Sequence, residues 1–332
     1  MNTEKEPRHV LITGAAGYIG RQLVRRLKDD PAVELVVATD VRAVAHGDGD
    51  KVLWDIRDIR DTALAKVMQS HRIDSVVHLA SVVTPPPGMP REEMYSIDVG
   101  GTQNVLDACV RAGVRRLIVS SSGAAYGYYP DNPEWLEETA PLRGNESFAY
   151  SHHKRLIEEM LARYREKHPE LLQIVFRFCT ILGAQVNNQI SNLFEGRFVL
   201  GVRGSAAPFV FIWDEDVIEV LRQALWRERT GIYNVAGDGA VPLPEIARRI
   251  GKPYVALPRW LLVAGLAILR TLRLTQYGPE QVDFLAYRPV LANRRLKEEF
   301  GYHPRYTSAE AFSRYWTERA RQKSEPRGRR AL

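Results

Sequence analysis

The segment Thr13-Gly-Ala-Ala-Gly-Tyr-Ile-Gly20 constrains the fold of this chain more than any other feature. It joins the apolar run His9-Val-Leu-Ile-Thr13, which has the pattern of a buried strand, to residues 17–27, where apolar positions recur at helical spacing. Gly14, Gly17 and Gly20 stand three apart. Glycines so placed let the chain turn tightly, let backbone approach a pyrophosphate, and let the helix pack on the sheet. The amides of the helix N-terminus then face the phosphates. A glycine triplet alone is weak evidence, but here it occupies the strand–turn–helix context the motif requires.

Twenty residues after Gly20, Asp40 ends a valine-rich strand over 33–39. An acid at that point accepts hydrogen bonds from adenosine ribose hydroxyls and repels a 2′-phosphate, so the expected cofactor is NAD rather than NADP. Arg42 complicates that preference, because a nearby arginine accommodates the extra phosphate. Asp55 follows a third strand at Lys51-Val-Leu-Trp54. It is placed either to meet an adenine amino group or to cap a helix.

Strand and helix patterns continue to alternate. Residues 61–69, 91–112 and 147–167 read as helices, the second ended by Gly113 and the third followed by Pro169. Residues 74–79, 116–121 and 171–176 read as strands. Strands spaced by helices imply a Rossmann-type doubly wound α/β fold, its parallel sheet covered on both faces. After about Cys179 the rhythm breaks into short elements rich in proline. The expected organisation is an NAD-binding domain over 1–180, with 209–236 returning to it. A smaller α/β substrate lobe and a basic C-terminal tail follow over 181–332.

Tyr150-Ser-His-His-Lys154 puts a phenol and an ammonium on one helical face. A lysine beside a phenol favours the phenolate and lowers its pKa, making tyrosine a usable acid or base near neutral pH. Upstream, Val119-Ser-Ser-Ser-Gly-Ala-Ala-Tyr-Gly127 places serines at the carboxyl edge of the sheet, where open α/β folds bind ligands.

Taken together, the glycine turn, Asp40, Asp55-Ile56, His78-Leu-Ala-Ser81, Ser120 to Gly127 and Tyr150 to Lys154 resemble the extended short-chain dehydrogenase/reductase family, also called the NAD-dependent epimerase/dehydratase family. The resemblance covers nearly the whole chain, most firmly residues 8–183. It implies Tyr150 as general acid/base, Lys154 as the residue that binds the nicotinamide ribose and tunes the tyrosine, and Ser122 as the substrate-orienting hydroxyl. The implied cofactor contacts are Gly14, Gly17, Tyr18, Ile19 and Gly20 of the turn, then Asp40, Val41, Arg42, Asp55 and Ile56. Leu79, Ala80 and Ser81 would run beside the cofactor with Tyr150 and Lys154, and Phe178 would pack near the nicotinamide. Helices 91–112 and 147–167 match those that pair family members into homodimers.

Several positions depart from the family. Asp98 stands where it usually has asparagine, and Thr180 where sugar-nucleotide members commonly carry an asparagine that contacts the diphosphate. Phe209 takes the place of a phosphate-binding arginine, which removes a strong charge-assisted contact unless Arg203 replaces it. The segment from Val82 to Met89 is expected to overlook the nicotinamide, and Phe209, Phe211 and Trp213 to add aromatic wall. The favoured reading is therefore hydride transfer between NAD and a secondary alcohol or ketone of an apolar small molecule. The alternatives are a nucleotide-sugar epimerase or dehydratase with transient hydride transfer, and a non-catalytic NAD-binding sensor.

Composition limits the remaining classes. With 46 basic and 40 acidic residues the net charge is +6, part of it in the tail 319–332, and no basic stripe with interleaved aromatics suggests nucleic-acid binding. The tail is read as a frayed, solvated end. Two cysteines, Cys109 and Cys179, exclude a disulfide framework and fit a reducing, cytoplasmic setting. The N-terminus lacks the apolar stretch of a signal peptide. Residues 257–274 form an apolar-rich helix with arginines at 259, 270 and 273; it is read as core, a pocket cover or a weak membrane-surface contact, but not as a membrane span. His78 is read as structural, His152 and His153 as a solvated face, and no metal-ligand spacing is present.

Overall fold

A computed structural model describes residues 8–44, 49–186, 189–227, 229–272, 274–275 and 278–324. Arg273 and the tail 325–332 lie outside the described residues. The strands are β1 (Arg8–Thr13), β2 (Val33–Asp40), β3 (Val52–Ile56), β4 (Ser75–His78), β5 (Arg116–Ser122), β6 (Leu172–Phe178), β7 (Thr180–Leu182), β8 (Val199–Val202), β9 (Phe211–Trp213), β10 (Gly231–Val235) and β11 (Tyr254–Leu257). The helices are α1 (Tyr18–Lys28), α2 (Leu64–Ser70), α3 (Arg91–Tyr95), α4 (Gly101–Ala112), α5 (Ala149–Lys167), α6 (Gln189–Asn192), α7 (Asp214–Ala224), α8 (Leu243–Arg249), α9 (Arg259–Thr271), α10 (Gln281–Ala286) and α11 (Ser308–Ser324).

The chain forms two compact units. The first contains Met1–Gly127, Pro141–Arg177 and Val217–Tyr233; the second contains Tyr128–Ala140, Phe178–Asp216 and Asn234–Leu332. A seven-stranded parallel sheet in the order β10-β6-β5-β4-β1-β2-β3 builds the first. The central strands are largely apolar, as Val10, Leu11 and Ile12 illustrate, which fits a parallel sheet covered on both faces. Strand order reverses between β1 and β4, where Thr13 pairs in register with His78 on one side and Thr39 on the other. Such a switch point opens a crevice at the carboxyl ends of the strands.

The helix expected over 91–112 is interrupted. A π-helical turn, Ser96–Gly100, separates α3 from α4. The extra residue in such a turn rotates the side chains after it, and such turns are frequent at functional sites.

The second unit holds two short sheets, β8 with β11 and β7 with β9, around an aromatic core. Phe209 and Phe211 stack at 5.6 Å, and Phe211 stacks on Phe312 at 5.4 Å. Phe209, Phe211 and Trp213 are buried in this core. The expected aromatic wall is therefore corrected: strand β9 and the residues before it point into their own unit, where edge and stacking contacts with Phe194 and Phe312 absorb the rings. The apolar helix α9 corrects the core reading in the opposite direction, because Leu262 is its one buried residue.

Candidate functional site

The glycine turn shapes the site first. Gly14 has φ +69°, and a Cβ there would lie 2.7 Å from the Ala80 nitrogen and 2.8 Å from its Cα. Glycine is thus required both by conformation and by contact with the chain after β4. A Cβ on Gly20 would lie 2.7 Å from the Ala15 Cα, so this glycine lets α1 start tightly against the turn. Gly17 caps α1 without a side-chain hydrogen bond, and the first turn, from Tyr18 and Ile19 onward, contains no acidic residue. The positive end of the helix thus meets no acid of its own first turn, which suits a diphosphate.

Asp40 is buried at the end of β2. Its Oδ2 accepts from the Ala16 N–H at 3.0 Å, and its Oδ1 from the Arg42 N–H at 3.0 Å and Nε at 3.1 Å. Arg42 is thereby tied to the acid. Val41 and Ile56, at the ends of neighbouring strands, are exposed. Asp55 takes a two-pronged contact from Arg57, Nε to Oδ2 at 2.9 Å and Nη2 to Oδ1 at 3.1 Å. The chemistry of this edge, a glycine-rich helix start beside an acid and exposed apolar side chains, fits the diphosphate and adenosine ends of NAD.

His78 is buried between β1 and α4. The Thr102 hydroxyl donates to the Asp98 carbonyl at 2.5 Å, so it accepts from His78 Nε2 at 3.0 Å. Thr13 Oγ1 accepts from the Leu79 and Ala80 amides and therefore donates to His78 Nδ1 at 2.7 Å. This chain of donors selects one neutral tautomer. Burial, with Lys154 nearby and Asp98 opposing, pushes the imidazole down to about 3. The structural reading of His78 matches these partners, and the same bonds fix the path of Leu79 and Ala80.

The π-turn aims Asp98 into the same region. Its Oδ1 accepts from Ser81 Oγ at 3.1 Å and Val82 N at 2.8 Å, and its Oδ2 from His153 Nδ1 at 2.9 Å. Asp98 and His153 are both buried. His153 is therefore not on a solvated face, which corrects the sequence expectation: at the start of α5 it points toward the π-turn. His152 takes the outer side, where Arg91 Nη2 donates to its Nδ1 at 3.2 Å.

Helix α5 carries Tyr150 and Lys154 and is fastened along one face to the end of β5. Ser151 Oγ donates to Ala124 O at 2.6 Å, Lys154 Nζ to Ser120 O at 2.9 Å, and Ser121 Oγ to Glu158 Oε1 at 2.5 Å. Arg177 then grips Glu158 (Nη2 to Oε2 2.6 Å) and donates to the Tyr126 hydroxyl at 2.7 Å. Lys154 Nζ lies 5.6 Å from the Tyr150 ring centre, and the Ser122 hydroxyl is near enough to the phenol to favour its ionised form. Ser122 also accepts from Ala124 N at 3.2 Å.

The expectation of a lowered phenol pKa is corrected. Burial pushes Tyr150 up to about 12, the Ser122 hydroxyl opposes this, and Asp98 adds to it. Desolvation of a phenolate outweighs an ammonium that spends a hydrogen bond on Ser120. Burial also lowers Lys154, against the pull of Asp98 and Glu158. Phe178 is buried and is the first residue of its stretch of the second unit. Among the described residues no group of three or more His, Cys, Asp or Glu is placed to hold a metal ion.

The second unit contains a charge that the sequence analysis missed. The Arg288 guanidinium sits 4.0 Å from the centre of the Phe209 ring and 4.5 Å from that of Phe284. Its Nη2 donates to Thr180 Oγ1 at 3.3 Å, while its Nη1 is shut off from solvent and has no hydrogen-bond partner among the described residues. Burial pushes it down to about 10, with Tyr128 and Cys179 opposing. Phe209 and Thr180 are the positions where the sequence departs from sugar-nucleotide enzymes. Arg288 thus sets a guanidinium against both of these positions.

Residues 10–236 match the family model described as the NAD dependent epimerase/dehydratase family. An uncharacterized protein of Mycobacterium tuberculosis (strain ATCC 25618 / H37Rv) is 27% identical over 317 residues, covering 93% of this chain and 84% of the relative. A UDP-glucose 4-epimerase of Erwinia amylovora is 30% identical over 210 residues, 60% of each protein. The dTDP-glucose 4,6-dehydratase of Bacillus anthracis str. Ames, solved in complex with NAD, is similar with a TM-score of 0.70 and 17% identity, over 95% of this chain and 97% of that one. At that identity the likeness is one of fold.

Proposed function

This chain belongs to the NAD-dependent epimerase/dehydratase family, and on that premise we propose that it oxidises and reduces a secondary carbinol of a phosphate-bearing small molecule, a nucleotide sugar fitting best. One observation carries the substrate class: the half-buried Arg288 guanidinium on Phe209 and Thr180, whose Nη1 is shut off from solvent with no hydrogen-bond partner among the described residues. A cation in that state favours an anionic ligand. The names of the epimerase and dehydratase relatives lie in the same direction. The apolar-alcohol reading loses the aromatic wall it counted on, because Phe209, Phe211 and Trp213 are core.

The residues divide the work as follows. The glycine turn with Tyr18 and Ile19 holds the cofactor diphosphate. Asp40 takes the adenosine ribose hydroxyls, with Val41, Arg42, Asp55 and Ile56 around the adenosine. Leu79, Ala80, Ser81, Lys154 and Phe178 serve the nicotinamide end. Bound NAD supplies the hydride acceptor and donor and, when oxidised, a positive charge. Ser122 holds the substrate oxygen, while Tyr150 takes the carbinol proton and returns it to the carbonyl. Burial keeps Tyr150 protonated at neutral pH even with Lys154 beside it, so the positive charge of oxidised NAD, when bound, would add to that of Lys154 in bringing the phenol within range as a base. Asp98 positions this pair, joining the loop at Ser81 and Val82 to α5 through His153. The outer faces of α4 and α5 are the expected homodimer surface, and a single-chain mass in light scattering would remove it.

Calorimetry with uridine diphosphate and turnover of UDP-glucose test this reading. Binding is expected, with sugar conversion but no net NADH. Tyr150→Phe is expected to slow turnover by about 10²–10⁴ while leaving NAD binding intact. Absent uridine diphosphate binding, together with net NADH formation from an added apolar secondary alcohol, would overturn the substrate class. Undiminished turnover in Tyr150→Phe would overturn the mechanism.

A further inference from the structure

We propose that Arg42 is a cofactor-selecting residue that lets the site take NADP as well as NAD: paired to Asp40, its guanidinium gives up the acid and turns onto a 2′-phosphate where the dinucleotide carries one. This role rests on Asp40 meeting the adenosine ribose, as proposed above. Four N–H donors reach the Asp40 carboxylate. Two belong to the backbone, Ala16 N to Oδ2 at 3.0 Å and Arg42 N to Oδ1 at 3.0 Å. Two belong to the Arg42 side chain, Nε to Oδ1 at 3.1 Å and Nη2 to Oδ2 at 3.4 Å. A carboxylate has about four lone-pair sites, so protein groups alone fill the acid. The backbone donors are fixed by the glycine turn and the end of β2. The guanidinium is the part that can leave, since the Arg42 side chain is 61% exposed and that of Asp40 only 6%. The two ribose hydroxyls of NAD then replace the two guanidinium donors one for one.

Charge decides what the displaced guanidinium does. An acid that stands alone at the end of the second strand repels a 2′-phosphate. Asp40 does not stand alone: a cation two residues on is in direct contact with it and answers the repulsion. The planar guanidinium fork matches a phosphate by two parallel hydrogen bonds. Arg42 Nη1 has no hydrogen-bond partner among the described residues, so donors are in hand for that contact. Arg57 is the second arginine at this edge, and its backbone N–H donates to the Asp40 carbonyl at 3.0 Å. Its guanidinium is committed elsewhere. Asp55 holds it at 2.9 Å, Asp61 grips it from the next turn, and its side chain is 21% exposed. Of the two arginines, only Arg42 shares its carboxylate with the ribose, so only Arg42 is released by the dinucleotide it then recognises.

Calorimetry of the full chain with oxidised NAD and oxidised NADP reads the selectivity directly. The wild type is expected to bind NADP within about tenfold of NAD. Arg42→Ala should weaken NADP by about 10–100-fold, the worth of a charge-assisted hydrogen bond, and leave NAD within about threefold of the wild type. Between about 0.05 and 0.5 M sodium chloride, wild-type affinity for NADP should fall more steeply than for NAD, and Arg42→Ala should remove the difference. Because the readout is a ratio of two ligands, a general loss of fold does not mimic it. Asp40→Asn should weaken NAD by about tenfold. NADP bound more than about a hundredfold below NAD by the wild type, or a ratio that Arg42→Ala leaves unchanged, overturns the role of Arg42 even where NAD responds to Asp40→Asn. NAD affinity indifferent to Asp40→Asn overturns the ribose assignment, and the role of Arg42 with it.

Discussion

Arg177 is buried in the first compact unit and Arg288 half-buried in the second, and their surroundings treat them oppositely. Burial works against the charged Arg177, but the charge and hydrogen bonds of Glu158 outweigh it and hold the guanidinium above its ordinary range. Its remaining valence goes to the Tyr126 hydroxyl and ring face. Arg288 has two aromatic faces and one threonine hydroxyl, with no carboxylate in ion-pair reach among the described residues. The rings offset only part of its desolvation, since a cation–π contact contributes about 0.5–2 kcal/mol. The first unit thus uses its buried charge to fix the helix that carries Tyr150 and Lys154. The second leaves one uncommitted. A paired buried ion is structural; an unpaired one is costly enough to suggest a ligand.

The largest effect expected from this contrast is on stability. Glu158→Gln strands Arg177 inside the first unit and should destabilise the protein by about 3–5 kcal/mol, read by urea titration. If the melt is unchanged, Arg177 is not the fastening inferred here. Arg288→Met should do the reverse. The melting temperature should hold or rise, and affinity for uridine diphosphate should fall about 10–100-fold, because a charge-assisted hydrogen bond is worth about 1.5–3 kcal/mol. A destabilised Arg288→Met with undiminished affinity would make the two arginines alike.

A smaller effect concerns His78, another polar group that the first unit keeps fully occupied. Its folded pKa of about 3 lies below the free value of about 6.5. The unfolded chain therefore takes up a proton that the folded one refuses. The associated stability is present above pH 6.5 and is lost as pH falls toward 3, by roughly 1.4 kcal/mol per unit. The stability of His78→Gln, measured across that window by denaturant titration, should fall less steeply than that of the wild type. Parallel curves would show that His78 is protonated in the fold after all.

The glycine turn, the acid at residue 40 and the Tyr150–Lys154 pair were legible because each depends on neighbours in the chain. A positive φ at Gly14, a strand ending at Asp40 and a four-residue helical interval are local requirements. The supports behind them were not. Asp98 meets His153 through a π-turn whose start no residue pattern marks, and Ser151, Lys154 and Glu158 meet strand β5 at carbonyls and hydroxyls that periodicity does not locate. The aromatic segment from Phe209 to Trp213 has the composition of a pocket wall and the burial of a core.

The amino-acid order alone thus determined the doubly wound architecture, the glycine turn and the family, since backbone conformation and short-range spacing are written in consecutive residues. Tertiary structure decided that Tyr150 rests as a phenol, that Arg288 lies against Phe209 and Thr180, and that α9 leaves one face outward. Each of these depends on how much water is excluded and which partners arrive from far along the chain. Desolvation and long-range pairing are properties of the packed molecule, with no counterpart in any local run of sequence.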